Sequence, residues 1–262
     1  NSFSIAQSRQ GIGIYGTNYN NRIDTSSHIL NYPERPLSIT RLNSILNLDK
    51  MTTGQNIVVA ISVYNGYNQE DAIIGNQRSI DMGLFNSSMF KRYTETEMIE
   101  EKTGNEEKFY NPNTKYMLDD DIPEEIMLKK SSYRKLDNFG FIKEGSYLEE
   151  NDVVIGKYIK FRDEKGHISY RDISVVVKND HIGSVVDKVY TCSVDISKNR
   201  LTKIRLCQYR KPIVGDKLTS RCAQKGTFSI LLPPEDMPYS KEGIITDLIL
   251  NPYGYPKRMT IA

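Results

Sequence analysis

The sequence predicts a mixed α/β, β-rich fold. Short β-like runs follow one another after residue 150, an unbroken apolar run lies in the first third of the chain, and helical signals are confined to that first third. Residues 1–93 open with turn chemistry (Gly11, Gly13, Gly16 and "NYPERP") and continue into a helix predicted over residues 37–48. "NIVVAISVY" follows, whose continuous apolar character predicts a strand covered on both faces. Residues 94–150 hold 15 Asp and Glu against 8 Lys and Arg, few β-branched residues, "NPN" and a "DDDIPEE" run, and predict an exposed, partly mobile insertion. From Asn151 onward, "DVVIGKYIKF", "DISVVVK", "IGSVVDKVYTC" and "LTKIRLC", separated by Asn, Asp and Gly, predict antiparallel sheet.

Composition narrows the function classes. With 262 residues, 38% of them hydrophobic, the chain can bury a real core in one large domain or two. Its net charge is only +2, so an electrostatic function has to come from uneven distribution. That unevenness exists: residues 196–226 carry nine Lys or Arg and a single acid, Asp216. Cys192, Cys207 and Cys222 stand singly, without metal-ligand spacing, which argues against structural zinc and for a reducing compartment. No apolar run approaches the roughly 20 residues of a membrane span, and the first residues show no signal core. A water-soluble piece of a longer protein is expected.

Two places carry candidate chemistry. In "YNGYNQEDAIIGNQRSIDMG", Glu70 and Asp71 stand side by side after the apolar run. One reading makes Asn68 a helix N-cap and puts both acids in the first helical turn, where backbone N–H groups and the macrodipole stabilise them. The other makes them a rigidly mounted carboxylate pair for a hard cation such as Mg²⁺. At the basic end, "KPIVGDKLTSRCAQKGTFSI" sets Lys217, Arg221 and Lys225 around turn signals, and "YPKRMT" adds Arg258. These are either solvated surface charges or phosphate contacts, with Lys acting as a point charge and Arg as a planar fork.

Together these segments carry a resemblance. "GYNQEDAIIGNQRSIDMGLF", "GDKLTSRCAQKGTFSILLPPEDMP" and "EGIITDLILNPYGYPKRMT", in that order, closely resemble the second-largest subunit of multisubunit DNA-directed RNA polymerases, the counterpart of the bacterial β subunit. "NSFSIAQSRQGIGIY", "RIDTSSHILNYPERPL" and "YRKLDNFGFIKEGSYLEENDVVIGKY" extend the similarity over nearly the whole chain and resemble the eukaryotic, archaeal and viral branch more than the bacterial one. The resemblance implies a hybrid-binding region, containing a double-psi β-barrel, made from residues 1–87 and 212–262, with a β-rich wall or flap domain inserted at 88–211.

It also implies roles. Lys217 and Lys225 would lie near the RNA 3′ end and the incoming nucleotide, and Arg258 would contact the triphosphate. Glu70 and Asp71 would face the catalytic metals, Asp71 toward the second Mg²⁺, and Arg9 and Gln10 would lie beside the RNA–DNA hybrid. The first metal would be held by an Asp-x-Asp-x-Asp motif of the largest subunit. Asp119, Asp120 and Asp121 do not supply that spacing and read as a solvated charge run. Implied partners are the largest and smaller polymerase subunits, template DNA, RNA and nucleoside triphosphates, with no membrane. The implied location is intracellular: the nucleus for a cellular eukaryotic enzyme, the cytoplasm or virion for a viral one. The sequence departs from the family pattern at Cys222 and Ala223, where His-Gly is usual, at Met82, where Arg is common, and at Arg9, where Lys is usual. A non-catalytic nucleic-acid-binding module is the alternative; it needs the basic stretch but not the acidic pair, and its affinity would fall with salt and ignore Mg²⁺.

Overall fold

The computed structural model describes residues 13–100, 104–114, 126–162, 166–193, 199–221 and 224–257. Arg9, Gln10, the aspartates at 119–121, Cys222 and Arg258 lie outside them. In the first half of the chain the strands are β1 (Ser26–Leu30), β2 (Val59–Ile61), β3 (Ala72–Asn76), β4 (Ser87–Thr96), β5 (Ile99–Glu100) and β6 (Asn105–Phe109). Then come β7 (Val153–Ile155), β8 (Lys157–Arg162), β9 (Ile168–Asp172), β10 (Val175–Val176), β11 (Val185–Ser193) and β12 (Arg200–Arg210). The series closes with β13 (Lys217–Thr219), β14 (Lys225–Leu232) and β15 (Leu248–Leu250). Three short α-helices, α1 (Arg41–Ile45), α2 (Gln77–Asp81) and α3 (Gly254–Lys257), and three single-turn 3-10 helices, Tyr19–Asn21, Asn179–His181 and Pro234–Asp236, complete the regular structure among the described residues. The fold is β-rich, as expected, and none of its four sheets closes into a barrel among the described residues.

Two compact units divide the chain: Asn1–Asn20, His28–Ser88 and Tyr209–Ala262 form the first, Asn21–Ser27 and Met89–Gln208 the second. The first is built on a five-stranded sheet of order β13–β14–β3–β15–β2. β3 runs parallel to β14 and antiparallel to β15, so sequence-distant segments become neighbours. Its alternation serves both faces: Ile73 packs with Ile80, Phe228 and Leu248, while Ile74 packs with Met237 and Ile249.

Three expectations for this unit are corrected. The strand buried on both faces is Ala72–Asn76, whereas "NIVVAISVY" yields only Val59–Ile61. That strand is the outermost of the sheet, and Ile61 is 57% exposed because nothing pairs with its far side among the described residues. Asn68 caps no helix. The acids are followed by a strand, and α2 begins after Asn76, whose side chain accepts from the Arg78 N–H as a true N-cap. The helix predicted over 37–48 is regular only at Arg41–Ile45, and none of its residues is buried.

The strand pairs of the second unit are antiparallel, as its spacing predicts: β11 pairs with β12, β8 with β6 and β9, and β7 with β10. Its core corrects the view of 94–150 as an exposed insertion. Phe109, Tyr133, Leu136, Phe141, Ile142 and Leu148 are all buried against Val153, Val154, Ile155, Ile204 and Leu206. Aromatic and aliphatic residues spaced singly among acids still converge once the strands pair, and each such side chain contributes about 1.5–3 kcal/mol on burial.

Two buried charged groups of this unit, Asp172 and Lys157, are paired. Asp172 accepts from Ser174 N at 2.8 Å, from Lys129 N at 3.1 Å and from the Tyr133 hydroxyl. The Lys157 ammonium, on a residue only 4% exposed, sits 2.7 Å from Glu107 and 3.2 Å from Glu95.

Candidate functional site

The acidic pair sits on a tight turn fastened from below. Asn68, fully buried, accepts from Tyr64 N through Oδ1 (3.2 Å) and donates through Nδ2 to the Ser62 carbonyl (2.7 Å). The Tyr64 hydroxyl donates to the Asp236 carbonyl at 3.0 Å. The chain then turns through Gln69, whose carbonyl accepts from Ala72 N at 3.1 Å, and Glu70 adopts φ +55°. A non-glycine residue in the left-handed region stores strain of about 1–3 kcal/mol, which the surrounding bonds must hold. Both Glu70 and Asp71 are exposed.

The lysines are set by a hairpin beside that turn. Gly215 N donates to the Phe228 carbonyl (2.8 Å), Phe228 N donates to the Asp216 carbonyl (2.9 Å), and the Asp216 carboxylate accepts from Ile213 N (3.0 Å). β13 then pairs with β14 so that Lys217 faces Thr227 and Thr219 faces Lys225. Residues directly opposite in a sheet, and residues two apart along a strand, point to the same side. Lys217, Thr219, Lys225 and Thr227 therefore share one face, with each lysine opposite a threonine. Leu218, Gly226 and Phe228 take the other face, and Leu218 and Phe228 pack there with Ile73. Lys217 and Lys225 are both exposed.

The two pieces meet at β14. Thr227 N donates to the Asp71 carbonyl at 2.9 Å, and Thr227 is in register with Ala72 on its other side. Asp71 is thus about two strand spacings, roughly 10 Å, from Lys217 along the backbone. The approach requires glycine at 226: a β-carbon there would lie 2.4 Å from Ile73 Cδ1 and 2.8 Å from the Asp71 carbonyl oxygen. The structure therefore brings Glu70, Asp71, Lys217 and Lys225 to one end of one sheet.

Several features escaped the sequence reading. The lysine–threonine checkerboard was legible as the repeated K-x-T of "KLT" and "KGT", but it needs the strand register to become a surface. Asn68 acts as the keystone of the acidic turn, a role that no local pattern announces. Arg221 donates to the Ser38 carbonyl at 2.8 Å and so ties the residue after β13 to the segment before α1. Among the described residues, no three His, Cys, Asp or Glu side chains gather as a metal site. At the outer end of α2, Lys211 lies 3.2 Å from Asp81. A hydrogen bond from Gln77, then the Lys211 contact, hold the Asp81 carboxyl below its usual range.

A β-rich chain whose ends combine into one sheet, with acids and lysines gathered at its edge, narrows the class, and comparison with known proteins fixes the family. The family described as "RNA polymerase Rpb2, domain 6" matches residues 1–262, and the chain belongs to it. It is 40% identical to DNA-directed RNA polymerase II subunit RPB2 of Encephalitozoon cuniculi and 37% identical to DNA-directed RNA polymerase II subunit 2 of Arabidopsis thaliana. It is 34% identical to DNA-directed RNA polymerase subunit Rpo2 of the archaeon Saccharolobus solfataricus. Each match covers 100% of this chain and 22–23% of the relative, so the chain spans between a fifth and a quarter of the length of the curated relatives it matches.

Proposed function

We propose that this chain acts as a segment of the second-largest subunit of a DNA-directed RNA polymerase, contributing part of the nucleotide-addition centre and of the surface for the RNA–DNA hybrid. The observation that carries the reading is the convergence of two exposed lysines and two exposed acids at one end of the five-stranded sheet, from positions about 150 residues apart. Helix capping and scattered surface charge require no such meeting. In this reading the first unit is the hybrid-binding region, with residues 1–87 and 212–262 contributing to a double-psi β-barrel. The wall is residues 88–211, which hold most of the second unit. Arg9 and Gln10 lie beside the hybrid.

The reaction is attack of an RNA 3′ hydroxyl on the α-phosphate of a nucleoside triphosphate, forming a phosphodiester and releasing pyrophosphate. Lys217 and Lys225 neutralise phosphate oxygens as point charges, Thr227 offers a hydroxyl donor on the same face, and Arg258 grips the triphosphate through its planar fork. Positioning and charge neutralisation of this kind supply most of the acceleration in phosphoryl-transfer chemistry. Glu70 and Asp71 offer the hard carboxylate oxygens that suit Mg²⁺, but two carboxylates make only part of a coordination shell. They would hold the second Mg²⁺, which comes with the nucleoside triphosphate, while the largest subunit would hold the first; the two ions would supply charge stabilisation of the attacking and leaving oxygens.

The test uses the full-length subunit in its assembled enzyme. Lys217→Ala, Arg258→Ala and Asp71→Asn are each expected to weaken nucleotide use tenfold or more while subunit composition stays unchanged, with Asp71→Asn also raising the Mg²⁺ requirement. Loss of assembly with normal nucleotide dependence would instead assign these residues to structure.

A further inference from the structure

The second unit carries a cavity of about 550 Å³ that the nucleotide chemistry does not use. Its walls are Phe109, Phe139, Phe141, Ile142, Val189 and Leu201. Phe139, 52% exposed, stands at its mouth. Pockets of this size with mainly apolar and aromatic walls suit one or two large side chains.

The backbone beside the cavity says what form those side chains arrive in. β11 is the outermost strand of its sheet, and the chain's own 145–147 segment already pairs with part of its outer edge. Gly145 N donates to the Val186 carbonyl (2.8 Å), and Val186 N donates to the Ser146 carbonyl (2.9 Å). Val189 N also points outward, donating to Glu144 Oε1 at 2.8 Å. Outward-pointing residues alternate along an antiparallel strand, so Thr191, two residues on, directs both its N–H and its C=O away from β12. Among the described residues those two groups bond to no backbone partner. Such an edge is a template for another strand.

Charge adds a further constraint. At the rim Arg200 is held by Glu97 through bonds of 2.8 and 2.5 Å, Asp137 accepts from Phe139 N and Phe141 N, and Glu144 is engaged by Val189 N. Lys143, exposed at the mouth, has no ion pair among the described residues. We propose that this edge and cavity bind a partner protein's extended peptide by strand addition at Thr191, continuing to Val189 where the peptide displaces the Glu144 carboxylate from the Val189 N–H. One large apolar side chain enters the cavity, and a neighbouring acidic residue meets Lys143. Main-chain bonds supply the affinity and the cavity supplies the selectivity.

The experiment pans a phage-displayed library of random octapeptides on the full chain in its native assembly, then measures binding of the enriched peptides as synthetic probes. Enriched peptides are expected to alternate β-branched residues around one Phe, Leu or Met with an acid beside it, and to slow amide exchange at Thr191. Thr191→Pro removes an outward N–H without breaking the β11–β12 ladder, since proline is tolerated where the lost donor faces solvent. It is expected to weaken binding at least tenfold, as are Phe139→Ala and, for the acidic peptides, Lys143→Glu. Thr191→Val, which keeps the donor, and Lys217→Ala, in the other unit, are expected to bind normally. The proposal is overturned if no peptide is enriched, if the enriched peptides bind Thr191→Pro and Phe139→Ala as tightly as the parent, or if they bind as helices.

Discussion

Replacing Gly226 with alanine asks whether the acidic turn and the lysine hairpin are held by one piece of packing. The added β-carbon meets Ile73 Cδ1 at 2.4 Å, Ile73 Cγ1 at 2.7 Å and the Asp71 carbonyl at 2.8 Å. Ile73 has little room to move, because it is buried against Ile80, Phe228 and Leu248. Relief has to come from parting β14 from the 71–73 backbone, the junction that joins Asp71 to the strand bearing Lys225. Overpacking of this kind costs about 1–3 kcal/mol. Weakening the Thr227 N–H bond to the Asp71 carbonyl adds about 0.5–1.5 kcal/mol. The expected loss is therefore about 2–4 kcal/mol, or roughly a 30- to 700-fold faster opening at about 1.4 kcal/mol per factor of ten. Hydrogen exchange at the Thr227 and Phe228 amides of the full-length protein reads this directly. Gly54→Ala is the control: a β-carbon there meets nothing within 4 Å, and the expected change is within about 0.5 kcal/mol. Unchanged protection of Thr227 in Gly226→Ala, matching the control, would refute the claim that close packing at 226 couples the two halves of the site.

The remaining expectations concern the second unit and the chain alone. His181 accepts or donates at Tyr93 Oη (2.8 Å), and burial first, then the charges of Lys91 and Lys178, lower its pKa below 6.5. The unfolded chain therefore binds the proton more readily, so stability is full above pH 6.5 and falls as pH drops through the folded value; His181→Asn should flatten melting curves compared between pH 7.5 and 5.5. Lys157→Met leaves Glu95 and Glu107 without their shared cation and should cost ~2–3 kcal/mol, under the 3–5 of fully buried pairs because both acids retain some solvent; chemical denaturation measures it. The Tyr110 hydroxyl is buried without a hydrogen-bond partner among the described residues, so Tyr110→Phe should be neutral or stabilising by up to about 1 kcal/mol, and a drop in melting temperature would count against that. The 262-residue chain by itself should extend no RNA primer, because it offers carboxylates for only part of a metal site; extension by highly purified chain would contradict this.

Local chemistry made some of this molecule legible from sequence. The antiparallel strands after residue 150 follow from β-branched runs punctuated by Asn, Asp and Gly, a pattern that acts within a few residues. The long motifs around Glu70, Lys217, Lys225 and Arg258 carried the family resemblance without any coordinates. Burial is not local, and there the sequence misled. "NIVVAISVY" is more apolar than "AIIGN", yet the second is the central strand. What decides burial is whether neighbours lie on both sides, and β14 and β15, which flank β3, come from more than 150 residues away. The same holds for Phe109, Tyr133 and Phe141, which sit in acidic surroundings and reach the core only because β6 pairs with β8 and the 133–148 segment folds over β7. The candidate site was visible as residue types but not as a place. The strand register alone sets each lysine opposite a threonine and seats the Asp71 carbonyl on Thr227 N–H, because hydrogen-bonded pairing, not proximity in sequence, determines which side chains share a face.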